Sequence, residues 1–218
     1  MIKIEHTEVY GWEATIRGMR NPMNSWDRMD SDWEFVEDPS IINPNDEVKF
    51  VLGPNDADLM KRLCKGGPVH AKFRRMITVY MDITAPLYWW KEFDTYKVGT
   101  VTNSCSTMHK IHSKAFTIDD FSVEHLDVGN YLMFSQVILS ALNTARSDYV
   151  LLGDKADWWQ MIQMLPTSYN QKRTVELNYE VLSNIYESRL NHKLDEWRIL
   201  CEFIETLPYS WIITGKDN

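Results

Sequence analysis

The chain has 218 residues and a mass of 25.7 kDa, with 23 lysines and arginines against 31 aspartates and glutamates, a net charge of −8. Such a length buries a sizeable core, and 44% hydrophobic with 25% charged residues excludes a disordered chain. The acidic balance argues against a nucleic-acid coat; no apolar run approaches the roughly 18 residues of a membrane span, and residues 1–6 lack the apolar stretch of a secretion signal.

Residues 2–10 alternate in polarity and predict a first strand, followed by a helix over 12–20. The polar stretch 21–39, with Pro44 and Pro54 beyond it, reads as turns. Asn55-Asp56 are placed to cap a helix over 57–65, which Gly66-Gly67 end. Residues 72–84 read as the clearest strand, with Ile77, Val79, Met81 and Ile83 on one face and Met76, Thr78, Tyr80 and Asp82 on the other. Pro86 falls near the first turn of an aromatic-rich helix over 87–95.

The run 98–108 is small and polar, with little to bury and many hydrogen-bonding groups, so it is the best place for a ligand loop. Helices are expected over 130–152, through Trp158-Trp159, over 179–189 and over 193–207, with a brief extended stretch at 174–177. The paired tryptophans Trp89-Trp90 and Trp158-Trp159, with Trp26 and Trp33, suit either core and interface packing or a stacking surface for a flat ligand. No repeat or linker interrupts the chain, which reads as one α+β domain over 1–218.

Motif chemistry is sparse. Cys64, Cys105 and Cys201 are scattered as reduced thiols of a cytoplasmic protein would be. His109, His112 and His125 lack the C-x-x-C or H-E-x-x-H context of a metal site, and none is expected. Ser104-Cys105-Ser106 has no nucleophile elbow around it, and there is no P-loop or G-x-G-x-x-G.

Two blocks nevertheless resemble the flavin-dependent thymidylate synthases. In the tail, Leu165-Pro166 is followed by Asn178 twelve residues beyond the proline and Arg189 eleven further on, the family's spacing without a gap. Asp195-Glu196-Trp197-Arg198 looks like a relative of the family's Ala-Gln-x-Glu-Ile-Arg segment. Upstream, His70 stands fifteen residues before Ala85-Pro86, as a family histidine does, and Arg17 and Arg20 match an early pair of arginines.

The signature R-H-R-x-x-S-x-N-E-x-S-x-R is degraded. Thr95, Tyr96 and Lys97 stand at its R-H-R positions; Asn103, Ser104, Ser106 and Met108 stand at its N, E, S and final R. Glu92 takes the place of a glutamine that touches the nucleotide, and Ile162 or a neighbour takes that of a further arginine. The resemblance implies a central, mostly antiparallel sheet flanked by helices, and a homotetramer with active sites between subunits. It implies FAD as cofactor at His70, Lys97, Asn103 and Asn178, and a nucleotide substrate, dUMP, at Glu92, Ser104, Ser106 and Arg189. Arg189 and Ser106 are the catalytic candidates, and NADPH and methylenetetrahydrofolate the co-substrates.

The lost arginines matter physically. A charge-assisted hydrogen bond to phosphate is worth about 1.5–3 kcal/mol, so losing several costs orders of magnitude in affinity. The degraded motif therefore also admits a divergent paralogue that keeps the fold and binds a flavin, a nucleotide or a partner without thymidylate chemistry.

Overall fold

A computed structural model describes residues 1–35 and 48–216. Its centre is a four-stranded sheet of order β1-β4-β6-β5, formed by Lys3–Tyr10, Thr78–Pro86, Asn170–Asn178 and Val101–Ser104 and antiparallel throughout. The period-2 pattern puts Val79, Met81, Ile83 and Ala85 of β4 on the buried face with Val175 and Leu177 of β6. The register pairs Thr78 with Asn178 and Pro86 with Asn170, so both central strands run their full length together. A second, two-stranded sheet joins β2 (Asp32–Phe35) to β3 (Val48–Val51).

The main core lies against the inner sheet face. Apolar stripes cover it from α1 (Trp12–Arg20), α2 (Pro54–Lys65), α3 (Leu87–Phe93), α7 (Tyr179–Arg189), α8 (Asp195–Glu205) and α9 (Trp211–Thr214). Trp89, Trp90 and Trp197 are fully buried there, and Trp89 packs 4.8 Å from both of the others. A satellite core of Ile111, Phe116, Phe121, Phe134, Leu142 and Met161 sits under α4 (Val128–Met133), α5 (Leu139–Leu152) and α6 (Lys155–Met164).

Helices α1 and α7 have the expected bounds; other elements differ for identifiable reasons. The strand expected over 72–84 begins only at Thr78, because Ala71–Met76 is a 3-10 turn that buries Ala71 and Phe73. Asn55-Asp56 do not cap α2. Pro54 opens that helix, the Asp30 carboxylate accepts the Asn55 and Asp56 N–H groups at 2.8 and 3.0 Å, and Asp56 lies buried inside the helix. The expected continuous helix over 130–152 is α4 and α5 joined by a π-turn, Phe134–Ile138. The brief stretch at 174–177 is the nine-residue strand β6, whose polar first half is held by pairing to β4 on one side and β5 on the other. The last long helix is shorter than 193–207 at both ends. Pro39 and Pro44, read as turn residues, lie outside the described residues, while the described part of 21–39 forms two 3-10 turns and β2.

Candidate functional site

The expected site residues fall into separate groups, with Asn178 at the start of α7 and Arg189 at its end. Arg189 closes α7, and its Nη1 donates to Glu92 Oε2 of α3 at 2.9 Å. The same oxygen accepts from Trp197 Nε1 at 3.0 Å and lies 3.4 Å from His192 Nε2. Arg189 Nε donates to the Tyr96 hydroxyl at 3.0 Å, and the guanidinium lies over the Trp197 ring at 4.6 Å. Two side chains 97 residues apart thus form a half-buried ion pair backed by an indole, with the arginine oriented before any ligand arrives.

Asn178 caps α7. Its Oδ1 accepts from the Glu180 and Val181 N–H groups, both at 3.1 Å, leaving the amide Nδ2 beside the Gly99 turn. Gly99 has φ +77°, and a Cβ there would stand 2.9 Å from Asn178 Nδ2, so backbone and side chain both require glycine. Asn178, Gly99, Thr100 and Arg75 line a cleft of ≈ 220 Å³, with Glu176 on its wall. Thr100 Oγ1 is buried there without a hydrogen-bond partner, and no carboxylate among the described residues pairs with Arg75.

Arg75 also borders a mainly apolar groove of ≈ 600 Å³ lined by Met19, Leu59, Leu63, His70 and Phe73. His70 and Asn178 are therefore brought to two depressions that share one arginine. Lys97 is exposed in the turn after α3, and Asn103 and Ser104 lie on the exposed edge strand β5, opposite Thr174 and Arg173.

Ser106 Oγ accepts from the Met108 and His109 N–H groups at 3.1 and 3.0 Å and contacts His109 Nδ1 at 2.9 Å, so its hydroxyl is committed to holding its own turn. Arg20 is buried against Asp56 at 2.6 Å, while Arg17 makes an exposed contact to Glu13. Arg198 bonds the carbonyls of His192 and Lys193 and the Asp195 carboxylate, and Ile162 packs against the satellite core. Among the described residues no group of three His, Cys, Asp or Glu side chains suits a metal ion; His109 is bonded to Ser106, and His125 pairs with Asp195 at 3.0 Å. Thr100 falls within the run 98–108 expected as a ligand loop, whereas Arg75 and His192 were missed in the sequence. The cations at 72, 74 and 75 of an acidic chain were the available signal for Arg75.

This sheet, its helical cover and the full-length course of the chain define the fold of the ThyX-type flavin-dependent thymidylate synthases. The chain superposes on thymidylate synthase X from Helicobacter pylori, solved with FAD and dUMP, with a TM-score of 0.67, 14% identity, and coverage of 99% of this chain and 98% of that one. A UMP/dUMP methylase, PolB from Streptomyces cacaoi, solved with 5-Br dUMP, matches with a TM-score of 0.57 and 12% identity over 94% of this chain and 89% of that one. No family model matches the sequence, and no curated protein matches it by sequence.

Proposed function

We propose that the protein is a flavin-dependent enzyme that methylates a pyrimidine nucleotide, dUMP or a close relative, using methylenetetrahydrofolate and NADPH. One observation carries the reading. The ThyX-type fold runs the length of the chain, and within it Arg189 and Glu92 meet over Trp197 as a preorganised polar pair. The Helicobacter protein binds FAD and dUMP and the Streptomyces protein a brominated dUMP, which supports a flavin and a pyrimidine nucleotide here.

The residues present fit a flavin dinucleotide. The apolar groove at His70 suits a flat ring system, and Arg75 with the unpartnered Thr100 hydroxyl suits the polar part, next to Asn178. When bound, the flavin supplies the hydride chemistry. The protein's part is to bind and orient: Arg189, fixed by Tyr96 and Trp197, donates to a pyrimidine carbonyl, and Glu92 accepts from a ring N–H. Lys97, Asn103 and Ser104 extend the polar edge, and Ser106 acts as a positioning residue for the 106–109 turn. A homotetramer in the reducing cytoplasm completes the proposal, with exposed apolar helix faces as its support.

The test is the visible absorption spectrum of the purified protein, followed by FAD and dUMP titrations. A flavin spectrum that dUMP perturbs is the expected result; a colourless protein that binds neither at millimolar ligand overturns the reading. A second reading, a paralogue without thymidylate chemistry, is favoured by Thr95 and Met108 standing where the resemblance has arginines and by the neutralisation of Arg189 by Glu92. Rescue of a thymidine-requiring strain separates the two.

A further inference from the structure

Strand β6 carries a charged side chain on the face it turns to the core. Its alternation puts Gln171, Arg173, Val175 and Leu177 on that face, and Arg173 is only 13% exposed there. Burying a guanidinium is costly unless its donors are used, and here they are. Nη1 donates to Asp94 Oδ1 at 2.7 Å, and Nε donates to Gln171 Oε1 at 3.0 Å. The guanidinium lies over the Trp90 ring at 4.2 Å, and Trp90 Nε1 donates to the Gln171 carbonyl at 3.0 Å.

These contacts join two points that lie apart in sequence. Asp94 is the C-cap of α3 and opens the turn of Thr95, Tyr96 and Lys97. At the other end, Gln171 is buried and its Nε2 donates to the Cys105 carbonyl at 2.7 Å. The Cys105 N–H donates to the Lys172 carbonyl at 2.9 Å, which fixes that end on β6 as well. The relay Asp94–Arg173–Gln171–Cys105 thus holds both ends of the segment 94–105, which contains Tyr96, Gly99, Thr100 and strand β5. Tyr96 takes the bond from Arg189, and Gly99 faces Asn178. Pinning both ends of a loop removes much of its freedom before a ligand arrives, the condition for a precise site. The task suits arginine and not lysine, because one rigid planar fork serves two acceptors at once.

We propose that Arg173, with Gln171, is a positioning residue of the ligand loop: it clamps the two ends of 94–105 so that Tyr96 meets Arg189 and β5 stays on the sheet. That the loop serves a flavin and a pyrimidine nucleotide rests on the proposed function; the clamp itself does not.

The test uses the full-length protein with Arg173→Met, Asp94→Ala and the double variant. Trypsin cleavage after Lys97, which is exposed inside the clamped segment, reports loop opening without any ligand. Titration with dUMP, followed by the flavin absorption spectrum, reports the site. Thermal unfolding confirms that each variant folds, and Asp94→Ala, with a half-exposed side chain, answers alone if Arg173→Met does not fold. Each single variant is expected to be cut after Lys97 about tenfold faster and to bind dUMP about tenfold more weakly, the effect of one charge-assisted hydrogen bond. The double variant should be no worse than either single one; additive losses overturn the relay. Cleavage after Lys97 as slow as in the parent overturns the clamp. Faster cleavage with unchanged dUMP affinity overturns the positioning role. A parent protein that binds neither FAD nor dUMP removes the proposed function, and the clamp then stands or falls by the cleavage rate.

Discussion

Glu92 Oε2 takes two hydrogen bonds and lies near a third donor, so the Arg189 cation meets any ligand already partly neutralised. Arg189→Ala is expected to abolish dUMP binding; because Arg189 also ties α7 to Glu92 of α3, to Tyr96 and to Trp197 of α8, thermal unfolding of the variant checks that the fold is kept, and unchanged nucleotide affinity in a titration excludes the role. Glu92→Gln keeps the shape but replaces the charged acceptor of the ring N–H by an amide, so dUMP affinity should fall roughly tenfold. Unchanged or higher affinity there means that Glu92 only neutralises Arg189 and does not contact the ligand.

The thiols separate by burial. Burial raises the Cys64 thiol and pushes Cys201 up to about 11, while Cys105 is exposed. Labelling the native protein with a thiol reagent should therefore modify Cys105 first and the other two only on unfolding. Rapid labelling of all three contradicts that ordering.

Helices α1 and α2 are joined through a buried joint. Arg20 and Asp56 are 4% and 0% exposed, and Asp56 also accepts from Ser31 Oγ at 2.7 Å and from the Asp30 and Ser31 N–H groups. Burial alone raises the Asp56 carboxyl, but the bonds from Ser31, Asp30 and Arg20 outweigh it and hold the group below its ordinary 3.8. A lowered folded value stabilises the protein above the ordinary carboxylate range, and that contribution is lost as pH falls through the lowered value. Asp56→Ala leaves a buried guanidinium unpaired and should cost about 3–5 kcal/mol at pH 7. Urea unfolding of parent and variant should show that gap at pH 7 and a narrower one in strong acid; equal midpoints at pH 7 refute the joint's role.

Helices α1 and α7 were legible to the residue, since their apolar spacing and flanking Gly11 and Asn178 are local signals. The turn at 71–76 was not, because Phe73 and Ala71 imitate strand alternation while burying against helices. Nor was the Asp30 cap, which comes from 25 residues away.

Across the whole molecule, the least satisfied surface is helical. Leu132, Met133 and Val137 are 46%, 52% and 60% exposed, and Val150, Leu151 and Leu152 are 58%, 81% and 70% exposed, a density of apolar surface that a monomer rarely carries. Light scattering should report the mass of four chains, and Val137→Lys with Leu151→Lys should lower it; a monomeric parent protein contradicts the tetramer.

The amino-acid sequence by itself determined the α+β class, the strand and helix types, the buried face of β4 and the polar run 98–108, while Asn178, Arg189 and Glu92 came as residues to examine from the family resemblance. These are local properties: period, caps and turn residues act within a few positions. The tertiary structure alone decided that Glu92 meets Arg189 across 97 residues, that Arg20 is buried against Asp56, and that His109, His112 and Lys155 surround one cavity. Such partners are selected by the packing of non-sequential strands and the helices laid over them, which no periodicity along the chain records.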